Sequence, residues 1–466
     1  MNTRPTAALL LLVALAVGCE SQSPLGDDDT TQIDDDDTTR VDDDDSTSKP
    51  EDIDGDGWSV SMGDCDDANP AVYPGATEVC NRVDDDCDGD LDEGEWVDPL
   101  PPGVYGLDAA HARLVGDAGL LGMGTYSAGD TSGDNRDDLL ITCLNNERPG
   151  ICLVRAPFCD GPLIPPDGFI ETLLSGAPGA AGDIDGDGLG DAFLNHRLYL
   201  GPLEGEVESS LTAGGFASSL TSGDLDGDGF ADLVVGDTTT ASVRFHSGPF
   251  LGDDVGPAVN VEGEDFGRAV AVLPEMQPPT TLVGAATYVG VVEGMPNEDR
   301  SGPDRILDLA PMFLPGATSI GTGLASDGHD RFCVGTGTSS PGRVICGTLA
   351  EIDAGSPELV FDARPGTEDE HLGPNISMTR DLVAVGHAFA TVRGNDGAGI
   401  VYVRGAADEW EFEWDTPAFP NFAGFRGGVA LLRDPSLGVT WLAAAAPSEG
   451  EGGMVYLFAL DVPPTM

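Results

Sequence analysis

The feature that most constrains this chain is a repeat. From about residue 104 onward, short apolar runs recur between Gly-rich turns, at irregular steps of roughly forty to fifty residues. One unit reads "ASSLTSGD", "DLVVGD", "SVRFHSG" and "AVNVEG". Runs this short, rich in Val, Phe and Thr and bounded by Gly and Asp, read as strands rather than helices. Four strands per unit suit one blade of a β-propeller. The expected fold class is therefore all-β, a seven-bladed β-propeller, although a short second unit leaves six or eight blades open. The last unit offers only "RGGVALL", "TWLAAAA" and "GMVYLFAL". "HARLVGD" at 111–117 has no place in the first unit. It is expected to supply the missing outer strand, so that the propeller spans 111–462 and its ends close the ring.

Three units carry a second pattern just before their second strand. "DLDGDGFAD" sets Asp224, Asp226, Asp228 and Asp232 at positions 1, 3, 5 and 9, with Gly229 at position 6. "DIDGDGLGD" repeats it with Asp183, Asp185, Asp187 and Asp191. "DTSGDNRDD" is a weaker copy with Asp130, Ser132, Asp134 and Asp138. Carboxylates this close repel one another unless a cation sits among them. Calcium takes six to eight hard oxygens from such a loop, including a backbone carbonyl at position 7. Phe230, Leu189 and Arg136 would supply those carbonyls.

These residues resemble the FG-GAP repeats of the integrin alpha-chain propeller. "GDLDGDGFADLVVG" at Gly223–Gly236 carries the most specific part, and "EDFGRAVAV" at Glu264–Val272 matches a repeat opening. The resemblance implies a propeller over about three quarters of the chain, with structural calcium on one face of three successive blades. The departure is that only these three units keep the loop. "ASDGHDRF" in the fifth unit has lost most of its carboxylates.

Residues 51–95 form a separate acidic module, followed by an expected linker at 96–110. "DIDGDGW" offers Asp52, Asp54 and Asp56, but position 9 is Val60, so Asp64 or Asp66 must complete the set. "DDDCDGDLD" offers Asp84, Asp86, Asp88 and Asp92, with Asp90 at position 7. The order "DIDGDG", "DCDD", "YPGATEVC", "DDDCDGDLDE" resembles the MopE-type metal-binding motif, named after a copper-scavenging surface protein. The name implies copper. The residues argue for Ca²⁺, because copper prefers imidazole, thioether or thiolate and this module has no His, one Met and three Cys.

The N-terminus reads as targeting. Arg4 precedes the apolar stretch Ala7–Val17, too short to span a bilayer, and "LAVGC" ends at Cys19. This resembles the lipobox of bacterial lipoproteins, which implies a signal peptide over 1–18, cleavage before Cys19 and a lipid on its sulfur. Asp blocks over 19–50 read as a disordered acidic tether. The expected localisation is exported and lipid-anchored, at the outer membrane or cell surface. Eight further cysteines are an even number, as oxidising compartments favour. Cys143 with Cys152, and Cys333 with Cys346, fall on adjacent strands and are disulfide candidates. Partners for Cys65, Cys80, Cys87 and Cys159 do not follow from spacing.

Charge narrows the partners. With 82 Asp+Glu against 21 Lys+Arg, the net charge is −61. Such a chain repels nucleic acids and anionic membranes, so contact with a membrane is expected only through the Cys19 lipid. The six His are scattered over the units, with His371 and His387 alone sharing one, and no catalytic motif is present. The expected function is binding or adhesion towards an extracellular protein or glycan, with structural calcium and no enzyme activity. Metal (copper) acquisition and a propeller lyase or hydrolase are the alternatives.

Overall fold

The computed structural model describes residues 51–81, 83–89, 92, 97–116, 121–122, 124–159, 161–162, 166–171, 179–194, 197–206, 211–212, 218–249, 256–261, 265–313, 319–336, 342–363, 371–388, 390, 392, 399–413, 428–446 and 452–462. The readings made for 1–18, for Cys19 and the 19–50 tether, and for Asp90 lie outside these residues. The described residues from Asp52 onward form one compact unit.

Seven sheets, each built on four antiparallel strands, are the seven blades. Blade one runs Thr125–Gly129, Asp138–Asn145, Arg148–Val154 and Gly168–Glu171. Blade two runs Gly179–Gly182, Asp191–Leu194, Arg197–Tyr199 and Leu211–Thr212. Blade three runs Ser219–Gly223, Asp232–Asp237, Ser242–His246 and Ala258–Asn260. Blades four, five and six follow with inner strands Ala269–Leu273, Ile320–Ser326 and His371–Met378. Blade seven begins at Val429–Asp434. Its fourth strand is Ala112–Val115, which pairs antiparallel with Met454–Leu460, so first and last segments of the propeller lie in one sheet. The expected closure holds.

Second strands are buried along most of their length, and wholly at Asp232–Asp237 and Thr280–Gly284. A blade is covered on both faces by its neighbours, so its middle strands read as continuous apolar runs rather than alternating ones. The recurrent Gly near the end of the second strand has a steric reason. A Cβ on Gly284 would run into the carbonyl of Gly321 in the next blade's inner strand, and one on Gly236 into that of Gly267. Trp441, Phe158, Phe458 and Trp410 fill the layers on either side of blade seven.

The expected linker at 96–110 differs. Gly103–Gly106 is a strand, parallel to Glu409–Glu413 on the outer edge of blade six. Trp410 donates its Nε1–H to the Leu100 carbonyl at 2.9 Å, and Tyr105 stacks on Phe412. A four-residue strand that begins and ends in Gly gives no periodic signal, but it covers an edge that would otherwise expose unpaired backbone.

The acidic module at 51–92 has almost no apolar core. Among its described residues, Val72 is the one buried apolar side chain, whereas Asp64, Asp67, Asp85 and Asp92 are buried. Carboxylates replace the core by gathering backbone donors: Asp67 accepts from Ile53 N, and Asp85 from Val79 N.

Candidate metal centres

Five acidic loops share one hydrogen-bond skeleton. The position-1 carboxylate accepts the N–H of positions 4 and 6. Asp224 takes Gly227 at 2.6 Å and Gly229 at 3.1 Å, and Asp183 takes Gly186 at 2.7 Å and Gly188 at 3.0 Å. Asp130 takes Gly133 and Asn135, and Asp52 takes Gly55 and Gly57, whereas Asp84 takes Gly89 at position 6 and, in place of position 4, the N–H of Asp88 at position 5. These turns need left-handed residues at positions 4 and 6. Gly227 and Gly229 have φ of 83° and 93°, and the exceptions to Gly are Asn135 and Cys87, at 66° and 59°. Position 5 accepts from position 7, as Asp228 does from Phe230, Asp187 from Leu189, Asp134 from Arg136 and Asp56 from Trp58.

The position-9 Asp is the anchor in the propeller. Asp138, Asp191 and Asp232 are the first residues of their second strands and are fully buried. Each accepts two backbone N–H groups: Thr131 and Ala156 on Asp138, Ile184 and Gly201 on Asp191, Leu225 and Gly248 on Asp232. One bond closes the loop on itself and the other ties it to the chain leaving the third strand. Burial pushes the Asp138 and Asp191 carboxyls up to about 6, and raises Asp232 as well.

Carboxylate oxygens converge where the sequence places them. One ligand atom from each of Asp183, Asp185 and Asp191 lies within 4.8 Å of the others, and the same holds for Asp224, Asp226 and Asp232. Asp130, Asp134 and Asp138 keep the loop, with Ser132 donating to Asp130. These all-oxygen sets fit a hard divalent cation, which Asp187, Asp228 and the carbonyls of Leu189, Phe230 and Arg136 would help to hold. In blade five the second strand begins at Arg331, whose guanidinium pairs with Glu358 at 2.7 Å. A cation built into the chain stands there in the place of the anchoring carboxylate.

The module behaves likewise, with two differences. Asp52, Asp54 and Asp56 converge within 4.8 Å. In the second loop Asp84 and Asp86 are joined by Glu78, which sequence spacing missed because it lies six residues before the loop. Glu78 Oε1 accepts the Asp86 N–H at 2.8 Å. Asp92 is placed otherwise than at position 9 of a cage. It accepts the Asn81 N–H at 2.6 Å and faces Cys159. Asp88 lies on the exposed side.

All eight described cysteines are paired. The two hairpin bridges Cys143–Cys152 and Cys333–Cys346 form as expected. Cys65–Cys87 links the two halves of the module, and Cys80–Cys159 fastens it to blade one.

The family model for the FG-GAP repeat matches residues 216–242, from the inner strand of blade three to the start of its third. The family described as "Putative metal-binding motif", of MopE type, matches residues 64–93. The chain thus combines a MopE-type metal-binding motif with a seven-bladed propeller carrying an FG-GAP repeat. Among solved structures, it is similar to a chain of a humanized mutant of the Chaetomium thermophilum Polycomb Repressive Complex 2 bound to the inhibitor GSK126, at 10% identity and TM-score 0.40, over 67% of this chain and 73% of that one. It is also similar to the Dos1 propeller, at 12% identity and TM-score 0.39, over 73% and 77%. No curated protein matches it. Among the described residues no helix is long and apolar enough to cross a membrane.

Proposed function

We propose that the protein is a cell-surface lipoprotein that works as a binding or adhesion module, with calcium as the structural ion of its acidic loops. The observation that carries this is the convergence of carboxylates in blades two and three around an anchoring Asp with both oxygens already on backbone donors. Such loops spend their chemistry on holding a cation and a strand start, and leave none for a substrate. Oxygen-only ligands favour calcium over copper. The module's three cysteines are consumed in disulfides, which leaves Met62 as its one soft donor for copper capture. Disulfides also suit an exported protein.

Partner binding without catalysis is the companion proposal. His111 is tied to the backbone of Asp98 and Ala459 and serves the ring closure. The ligand would be an extracellular protein or glycan, held by loops on a propeller face, with the Cys19 lipid as the sole membrane contact. Dialysis of the full chain against equal Ca²⁺, Mg²⁺, Zn²⁺ and Cu²⁺, followed by elemental analysis, tests the metal. Calcium retained in proportion to the acidic loops, with no copper, is expected. Tightly retained copper would make metal capture the leading function instead.

A further inference from the structure

The first module loop lies outside the matched motif except for one residue, Asp64, at which that match begins. Asp64 is 4% exposed. The chain reaches it through a single tight turn, Val60–Met62, followed by Gly63 in the left-handed region at φ 106°. Asp64 N then bonds back to the Ser59 carbonyl, which closes the turn directly after the loop.

The carboxylate is only half used. Asp64 Oδ1 accepts the Asp66 N–H at 2.9 Å. Its Oδ2 is buried and has no hydrogen-bond partner. The same is true of Asp54 Oδ2 and Asp56 Oδ2. Asp54 feels Asp56, Asp64 and Asp52 as neighbouring negative charges. A buried carboxylate oxygen without a donor is costly, and several in one neighbourhood are costlier still, unless a cation joins them.

We infer that Asp64 completes a calcium-type site with Asp52, Asp54, Asp56 and the carbonyl of Trp58. Asp64 takes position 13 of this loop and replaces the ligand that Val60 at position 9 does not provide. Its chemistry is that of a hard, oxygen-seeking divalent cation. Asp64 is chosen over Asp66 because Asp66 leaves no buried oxygen without a donor and gives its N–H to Asp64. This inference rests on the calcium reading of the acidic loops.

The site carries its own reporter. Trp58 adjoins the loop, and its N–H is held by Asp56 at 2.8 Å. Terbium replaces calcium at oxygen sites and emits when a nearby indole is excited. The experiment titrates Tb³⁺ into the full chain and into Trp58→Phe, and takes the difference as the first-loop signal. A saturable, calcium-competed difference signal is expected. Asp64→Asn keeps the Oδ1 acceptor for Asp66 but replaces the free oxygen with an amide, so its midpoint should rise by about tenfold or more. Asp66→Asn should leave it unchanged. Formation of the Cys65–Cys87 disulfide in each variant checks that the module folds. If Asp64→Asn fails that check, Asp54→Asn takes its place with the same expected shift.

An unchanged midpoint in the folded Asp64→Asn or Asp54→Asn variant, or a signal indifferent to Trp58, would overturn the site. If calcium still raises the melting temperature of the propeller in that case, this inference alone fails. If calcium raises it in no variant, the calcium reading fails with it.

Discussion

Asp137 of blade one and Arg433 of blade seven are locked together across the ring closure, 296 residues apart. The Asp137 carboxylate accepts the Arg433 N–H at 2.8 Å and its Nε and Nη2 at 3.2 Å, while Asp137 N donates to the Arg433 carbonyl. Arg136 beside it donates to Ser436 at 2.9 Å. Both residues lie between positions 5 and 9 of the blade-one acidic loop. A cation in that loop would therefore fix the segment that closes the ring, where the outer strand Ala112–Val115 gives the second tie.

The two halves of this pair should not be equal in mutants. Arg433 has a largely exposed side chain, so Arg433→Ala should cost about 1 kcal/mol or less. The Asp137 side chain is 10% exposed, and Asp137→Ala also strands the Arg433 N–H, so a cost of roughly 2–3 kcal/mol is expected. Urea denaturation of both variants measures the order. Equal costs would mean that the backbone bond contributes nothing to closure.

Asp232→Ala should remove both the anchor and a cation ligand. Leu225 N and Gly248 N lose their acceptor in a buried place, which costs roughly 2–4 kcal/mol. Calcium stoichiometry should fall by one site. A variant that keeps its full calcium count would show that position 9 serves the fold alone.

Protons should compete with calcium. Asp138 and Asp191 sit at about 6 in the folded chain against an ordinary 3.8, because burial disfavours the charge. Raised acids bind protons more tightly folded than unfolded. Without calcium, their contribution to stability therefore grows as pH falls through about 6 towards 4. Calcium must expel those protons, so its affinity should fall across the same window. The calcium-induced rise in melting temperature should shrink between about pH 7 and pH 5. A rise independent of pH would show that these two carboxylates do not touch the ion.

Most of the propeller could be read from the chain, and the reason is burial. Middle strands covered on both faces become unbroken apolar runs, and a missing fourth strand at one end pointed to Ala112–Val115 at the other. Gly103–Gly106 was hidden because four residues on an outer edge need no pattern. Glu78 was hidden because its place near Asp84 and Asp86 is set by the module's turns. One signal was present and unused. "RAPF", "LGPL" and "SGPF" recur after the third strands, and their Ala156, Gly201 and Gly248 supply the N–H that each anchoring Asp accepts. A small residue before Pro thus belongs to the loop motif, at a distance the spacing rule does not cover.

The module should come loose before the propeller does. Val72, the one buried apolar side chain among its described residues, cannot hold a fold of this length, so cations and disulfides must. Cys80–Cys159 spans 79 residues, and such a bridge typically contributes about 2–4 kcal/mol by restricting the unfolded chain. Cys159 follows Phe158, which is fully buried edge-on against Trp441, so the propeller end of the bridge is rigid. Replacing both Cys80 and Cys159 by Ser should leave the blades folded and their calcium bound. Amide exchange over 51–92 should then speed up sharply when calcium is removed, while the second strands of the blades stay protected. Unchanged exchange in the module would mean that its carboxylate network holds it without either staple. Simultaneous loss of protection in the blades would mean that module and propeller unfold as one cooperative body.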